Sequence, residues 1–210
     1  MDVRKAIMRL HGVLELSWGY SALISFSGAG AGRRVFMKEC ARIPPGSRVL
    51  EIGCGPGTNL ESMPEGTAYT GCDYNPRYID FANRRYAGRG TFLCLSVDDL
   101  PARNLGEFDV ALVVSVLHHL TDDQVRVLAN GAQRVLRKGG TFLVWEPCWT
   151  DHQAWMDRFM LSIDRGRHVR TTEDYARLLK ETFPQVESEF LMTPKILWPQ
   201  SGCILRAYKS

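Results

Sequence analysis

The sequence predicts an α/β fold in which a doubly wound, mainly parallel β-sheet carries helices on both faces. Apolar, strand-like runs alternate with helical segments over residues 47–145, a pattern typical of parallel strands joined by helical crossovers. Residues 108–114 form a nearly continuous apolar run, which indicates a central strand covered on both faces. The chain of 210 residues is long enough for one domain with a sizeable core.

The first predicted strand leads into a glycine-rich turn. Residues 49–52 form a short apolar run that follows the turn-forming Pro44-Pro45-Gly46, so a buried strand is expected from about Ser47. Glycines at 53, 55 and 57 then permit a sharp turn and let a ligand lie against the main chain. Thr58 or Asn59 is expected to cap a helix after this turn.

The remaining elements follow in order along the chain. Strands are predicted where short apolar runs lie between turn signals, and helices where apolar residues recur at helical spacing or a cap and an acidic first turn precede them. The predicted strands cover residues 69–73, 91–97, 108–114, 141–145, 186–192 and 204–209, and the main predicted helices cover residues 76–86 and 122–137.

The spacing of the glycines separates two groups of nucleotide-cofactor binders. A dinucleotide site requires Gly-x-Gly-x-x-Gly, whereas this chain has Thr58 where the third glycine would stand. Glu51 would also place a carboxylate beside a pyrophosphate, but it suits a ligand that carries an ammonium and a sulfonium. Glu51-x-Gly53-x-Gly55-x-Gly57 resembles motif I of the class I S-adenosylmethionine-dependent methyltransferases, and the chain is similar to bacterial small-molecule members of that class.

The resemblance implies an architecture for the whole chain. It implies a Rossmann-like, seven-stranded sheet of order 3-2-1-4-5-7-6 with strand 7 antiparallel. Residues 1–45 are expected to form an N-terminal helical cap, since helical spacing over residues 3–17 and a second helix from Arg33 to about Ile43 flank a glycine-rich break. Residues 46–210 are expected to form the S-adenosylmethionine-binding domain, with a helical insertion at about 150–182.

The resemblance also assigns cofactor-binding residues beyond the glycine turn. Asp73, at the end of the second strand, is expected to accept hydrogen bonds from the ribose hydroxyls. Tyr74 is expected along the adenine or ribose edge, and Val97 is expected to pack on the base. Asp98, with Asp99 as the alternative, is expected to accept from the adenine amino group. The full predicted cofactor set is Glu51, Gly53, Gly55, Gly57, Asp73, Tyr74, Val97, Asp98, Asp99 and Ser115.

The segment after the central strand carries the candidate catalytic residues. Ser115 is followed by Leu117-His118-His119-Leu120, which resembles small-molecule methyltransferases and lacks the Asn/Asp-Pro-Pro-Tyr/Phe of enzymes that methylate amide nitrogens. Either histidine is a candidate general base for an acceptor hydroxyl, and the alternative is a histidine that packs under the loop. Glu146 is a third candidate, expected to face the acceptor. No metal site is predicted, because adjacent histidines lack a partner at ligand spacing.

Composition limits the possible partners. With 26 basic and 23 acidic residues, the formal net charge is +3, and the scattered basic residues give no basis for nucleic acid as a partner. The six cysteines include no Cys-x-x-Cys pair, so free thiols in a reducing compartment are expected. No apolar stretch of about 20 residues or signal peptide is present, which favours a cytoplasmic protein with no membrane partner; the oligomeric state stays open.

Two interpretations of the acceptor side remain open. The cluster Arg165, Arg167, His168 and Arg170 either recognises an anionic acceptor such as a phosphate or carboxylate or forms a structural turn. The aromatic and methionine residues of the segment 155–163 either belong to the hydrophobic core or contact an apolar or sugar-like acceptor.

Three hypotheses about function follow from these residues. The first is an enzyme that transfers a methyl group from S-adenosylmethionine to oxygen or nitrogen of a small molecule. The second is a non-catalytic S-adenosylmethionine-binding regulatory or pathway-partner protein. An NAD-dependent oxidoreductase is disfavoured by Glu51 and Thr58.

Overall fold

A computed structural model describes residues 36–100, 104–151, 167–193 and 200–210, and the single residues 153, 155, 157, 158 and 161. The strands of this part are Arg48–Ile52 (β1), Ala68–Asp73 (β2), Thr91–Cys94 (β3), Phe108–Val114 (β4), Leu136–Trp149 (β5), Arg170–Thr171 (β6), Gln185–Thr193 (β7) and Gln200–Tyr208 (β8). The α-helices are Pro76–Arg85 (α1), Asp122–Val135 (α2) and Thr172–Lys180 (α3).

The strands form one twisted sheet in the order β3-β2-β1-β4-β5-β8-β7. Strands β1 to β5 pair with one another in parallel, whereas β8 is antiparallel to both β5 and β7. The predicted doubly wound sheet and its strand order are therefore confirmed. The numbering shifts by one at the end because a short unpredicted strand, β6, pairs with the carboxyl end of β5 at Cys148 and Trp149.

The boundaries of several elements differ from the sequence-based prediction. The segment after the glycine turn is a 3₁₀-helix, Thr58–Ser62, which Gly57 caps without a side-chain hydrogen bond, so the predicted cap at Thr58 or Asn59 is wrong. Helix α2 ends at Val135 rather than at residue 137, because Leu136 is already extended and pairs with Phe108 of β4.

The hydrophobic core lies on both faces of the sheet. One face packs against α2 and α3, with residues such as Leu128 and Leu178 fully buried. The other face packs against α1, whose Ala82 is fully buried, and against the π-helical turn Phe36–Cys40, in which Phe36 stacks on Trp145 of β5 at a ring-centroid distance of 5.3 Å. Because both faces of the sheet are covered, a ligand can reach it only at an edge. The loops that follow the parallel strands meet at the carboxyl edge.

The predicted N-terminal cap lies largely outside the described residues. Of its second helix the structure describes the turn Phe36–Cys40, and the predicted domain boundaries stay a prediction. In the part of the chain that the structure describes, no helix is both long and apolar enough to cross a membrane.

Truncation of a core residue on α3 tests the packing of this helix on the sheet. Leu178→Ala should lower the free energy of unfolding by about 2–5 kcal/mol, because it leaves a cavity beneath a fully buried side chain. Lys180→Ala, on the exposed side of the same helix, is the matched control and should change it by less than about 0.5 kcal/mol. If urea unfolding showed the same loss of unfolding free energy for both variants, the orientation of α3 on the sheet would be contradicted.

Candidate active site

The three glycines of the turn after β1 have different surroundings. A Cβ atom added at Gly53 would lie 2.5 Å from the Val116 side chain, and one at Gly57 would lie 2.6 Å from the Phe92 ring. A Cβ atom added at Gly55 would meet nothing within 4 Å. Gly53 and Gly57 are therefore required for packing between neighbouring elements, whereas Gly55 leaves open space against the main chain.

Asp73 fixes this turn from the end of β2. One carboxylate oxygen accepts from the Gly55 N–H at 2.9 Å, and the other accepts from the Asn75 N–H at 2.9 Å. Burial raises the pKa of Asp73, and these two backbone hydrogen bonds oppose the rise. Because each carboxylate oxygen can accept more than one hydrogen bond, capacity remains for ribose hydroxyls, as the sequence predicts.

Glu51 lies beneath the glycine turn and is only 1% exposed. One carboxylate oxygen accepts from Asn59 Nδ2 and the other from the Tyr69 hydroxyl, both at 2.6 Å. Burial and the nearby carboxylate raise the pKa of Tyr69, so its hydroxyl keeps the proton that it donates. The sequence indicated Asn59 only as a helix cap and did not single out Tyr69, although both are polar residues in otherwise buried segments.

The remaining predicted adenine-side residues lie after β2 and β3. Tyr74 is 77% exposed, Val97 is half-buried against the core, and Asp98 and Asp99 are exposed. Asp98 and Asp99 lie in a turn held by Ser96, whose hydroxyl accepts from the Asp98 N–H. Their contacts with a cofactor stay a prediction.

The segment that follows β4, residues 115–121 (the β4 loop), leaves the sheet through a strained residue. Ser115 has a φ of 57°, a left-handed conformation that costs a non-glycine residue on the order of 1–2 kcal/mol. Its N–H donates to the Trp145 carbonyl at 2.8 Å. The next residue, Val116, lies against Gly53, so this loop is in direct contact with the glycine turn of residues 53–57 (the cofactor turn).

Glu146 does not face the acceptor side, contrary to the expectation from sequence. Its carboxylate is fully buried and accepts hydrogen bonds from the backbone N–H groups of Val116 and Leu117, at 2.7 Å each, and of His118, at 3.3 Å. It also lies 2.6 Å from His118 Nδ1. The carboxylate thus fixes the backbone of the β4 loop, a role that the position of Glu146 at the end of β5 did not reveal.

The two candidate histidines lie in different environments. His118 is 3% exposed and is paired with Glu146, whereas His119 is exposed. Their ring centroids are 4.0 Å apart. Of the three predicted catalytic residues, His119 is therefore the one that the structure places at the surface of the carboxyl edge.

Comparison with known proteins identifies a domain family in this part of the chain. A family model described as a methyltransferase domain matches residues 50–144, the span that contains both the glycine turn and the β4 loop. The chain belongs to the class I S-adenosylmethionine-dependent methyltransferases. S-Adenosylmethionine is the cofactor of this family, and the open face at Gly55, the acceptor capacity of Asp73 and the carboxylates around the turn fit it.

Curated relatives are about 30% identical to the chain over the aligned segments. The tRNA (carboxymethyluridine(34)-5-O)-methyltransferase alkbh8 of Xenopus tropicalis is 33% identical over 50% of the chain and 16% of that protein. The ubiquinone biosynthesis O-methyltransferase of Chromobacterium violaceum is 29% identical over 64% of the chain and 59% of that protein. The human thiol S-methyltransferase TMT1B is 30% identical over 73% of the chain and 66% of that protein. The chain thus spans 16–66% of the length of these relatives.

Solved structures share the fold at lower sequence identity. The N-methyltransferase NodS of Bradyrhizobium japonicum, in complex with S-adenosyl-L-homocysteine, superposes with a TM-score of 0.62 and 20% identity, over 88% of this chain and 87% of that one. At this identity the similarity supports the methyltransferase fold.

The open face at Gly55 predicts a substitution that acts on the cofactor. Gly55→Ala should weaken S-adenosylhomocysteine binding by about tenfold or more, equivalent to about 1.4 kcal/mol, because the new methyl group would occupy the space where the ligand approaches. Gly88→Ala is the matched control, since Gly88 also has a positive φ and open space around its Cβ position. Both variants should show a similar loss of thermal stability, and calorimetric titration should show weak binding only for Gly55→Ala.

The raised pKa of Asp73 predicts that cofactor binding depends on pH. The ionised carboxylate is the form that accepts from ribose hydroxyls, so S-adenosylhomocysteine affinity should fall as the pH is lowered through this pKa, above the value of about 3.9 for a free aspartate. Asp73→Asn should bind more weakly at neutral pH, and its affinity should change little over the same pH range. An unchanged pH profile in Asp73→Asn would assign the titration to another group.

Proposed function

We propose that this protein transfers the methyl group of S-adenosylmethionine to an oxygen or nitrogen atom of a small-molecule acceptor. The observation that carries the proposal is the position of His119. Its exposed imidazole stands on the β4 loop, which contacts the cofactor turn through Val116 and Gly53. A ligand seated on that turn and an acceptor beside His119 would share one edge of the sheet.

The chemistry that this arrangement supports is an in-line displacement. The acceptor atom forms a bond to the methyl carbon while the carbon–sulfur bond of the cofactor breaks, and the product is S-adenosylhomocysteine. Alignment of the two reactants supplies much of the acceleration. Where the acceptor is a hydroxyl, His119 takes its proton, while His118 and Glu146 fix the loop that carries His119.

Charge favours a small molecule over tRNA as the acceptor. Some curated relatives are named for tRNA and others for small molecules, so the comparisons allow both. Several basic side chains of the described residues form ion pairs, including Arg126 with Glu181 and Arg170 with Asp122, and the net charge is only +3. A nucleic-acid interface would instead require a clustered basic surface.

The alternative is a non-catalytic protein that binds S-adenosylmethionine. The cofactor turn and Asp73 support both hypotheses equally, so release of S-adenosylhomocysteine in the presence of an acceptor decides between them. We would screen phenols, amines, thiols, carboxylates and bulk tRNA with S-adenosylmethionine. Turnover with tRNA alone would contradict the small-molecule proposal, and cofactor binding without turnover on any class would favour the alternative.

His119→Gln tests the proposed base once a hydroxyl acceptor is found. The substitution should lower kcat by about 10²-fold or more and leave S-adenosylhomocysteine affinity unchanged, because His119 acts on the acceptor and not on the cofactor. Lys180→Ala on α3 is the control and should retain wild-type kcat. A parallel loss of kcat and of cofactor affinity in His119→Gln would indicate a structural role for this residue.

A further inference from the structure

Arg170 is a second side chain that contacts the backbone of the β4 loop. Its Nη1 atom donates to the carbonyls of Leu117, at 3.1 Å, and His168, at 2.9 Å, and its Nη2 atom donates to the carbonyl of Leu120 at 2.8 Å. Nη2 and Nε also donate to a carboxylate oxygen of Asp122, at 2.7 and 3.0 Å. The side chain is only 10% exposed.

This geometry uses all five N–H donors of the guanidinium group. An anion that approached Arg170 would therefore have to displace an existing acceptor. The aromatic ring of Tyr175, whose centroid is 5.5 Å from Arg170 Cζ, covers the group further. The hypothesis that Arg170 recognises an anionic acceptor is not supported, since its donors are all directed at the protein.

Both N–H groups and carbonyls of the β4 loop backbone therefore form hydrogen bonds with residues outside the loop. Glu146 accepts from three of its N–H groups, and Arg170 donates to two of its carbonyls. The His168 N–H donates to a third carbonyl, that of His118, at 3.0 Å. Hydrogen bonds that involve a charged side chain are stronger than neutral ones, so the contacts with Arg170 fix the conformation of the loop, which includes the 3₁₀-helix Leu117–His119.

We infer that Arg170 is a positioning residue for methyl transfer, which fixes the β4 loop and thereby the His118 and His119 imidazoles relative to the cofactor turn. Its effect on turnover rests on the proposed function, whereas its effect on the loop does not. Lysine cannot replace it, because an ammonium has three donors and lacks the planar fork that reaches two carbonyls and a carboxylate together.

Amide hydrogen exchange tests this inference without an acceptor. In Arg170→Lys and Arg170→Gln, the amides of residues 116–118 should exchange faster by about tenfold or more, while amides at the centre of β4 should retain their relative protection. Arg177→Gln is the matched control, because Arg177 is an exposed arginine on α3 that pairs with Asp174. Wild-type exchange at residues 116–118 in Arg170→Lys, or equal acceleration at every amide, would overturn the proposal.

The imidazole of His118 supplies a second measurement, one that a general loss of stability would not change. The ¹⁵N chemical shift of Nδ1 reports the contact with Glu146 and should change in Arg170→Lys but not in Arg177→Gln. Should Arg170→Gln fail to fold, Asp122→Asn removes the ion pair and leaves the carbonyl contacts, and it should give a smaller acceleration at the same amides. No acceleration there would count against the proposal.

Activity measurements separate this inference from the proposed function. Once an acceptor that the wild-type protein methylates has been found, Arg170→Lys should lower kcat more than it raises the KM for S-adenosylmethionine, because the cofactor turn itself stays intact. If wild-type protein methylates no acceptor, the proposed function fails, and the exchange data alone decide whether Arg170 positions the loop.

Discussion

The buried carboxylate of Glu146 is the interaction on which the candidate active site depends. A carboxylate with no exposed surface is costly unless hydrogen bonds replace its hydration. Here three backbone N–H groups and the His118 ring supply that replacement. The same bonds satisfy donors of a loop that belongs to no strand or long helix, so the stability of the carboxylate and the shape of the loop depend on each other.

This mutual dependence explains how a strained residue persists at the end of the central strand. Ser115 has a left-handed backbone conformation, which the chain would abandon if the loop were free to relax. The bonds of Glu146 to the following N–H groups and of the Ser115 N–H to Trp145 hold it in place. As a result the chain turns sharply enough for Val116 to reach the glycine turn of β1.

The sequence predicted features that depend on local patterns. Strand β4 is read directly from its apolar run, and the glycine turn and Asp73 follow from residue types at fixed spacing along adjacent strands. The role of Glu146 could not be read in this way, because its main partners are backbone N–H groups, which every non-proline residue possesses. The same holds for Arg170, whose partners are mostly carbonyls: the sequence shows a basic residue, but tertiary structure alone decides whether it meets a ligand or the protein.

The carboxylates at this edge also explain why the turn suits one cofactor class. Glu51 and Asp73 both lie at the glycine turn, and together with burial each raises the pKa of the Cys54 thiol within it. A negative potential there opposes the anionic pyrophosphate that a dinucleotide would place on this segment. It attracts a sulfonium and an ammonium instead.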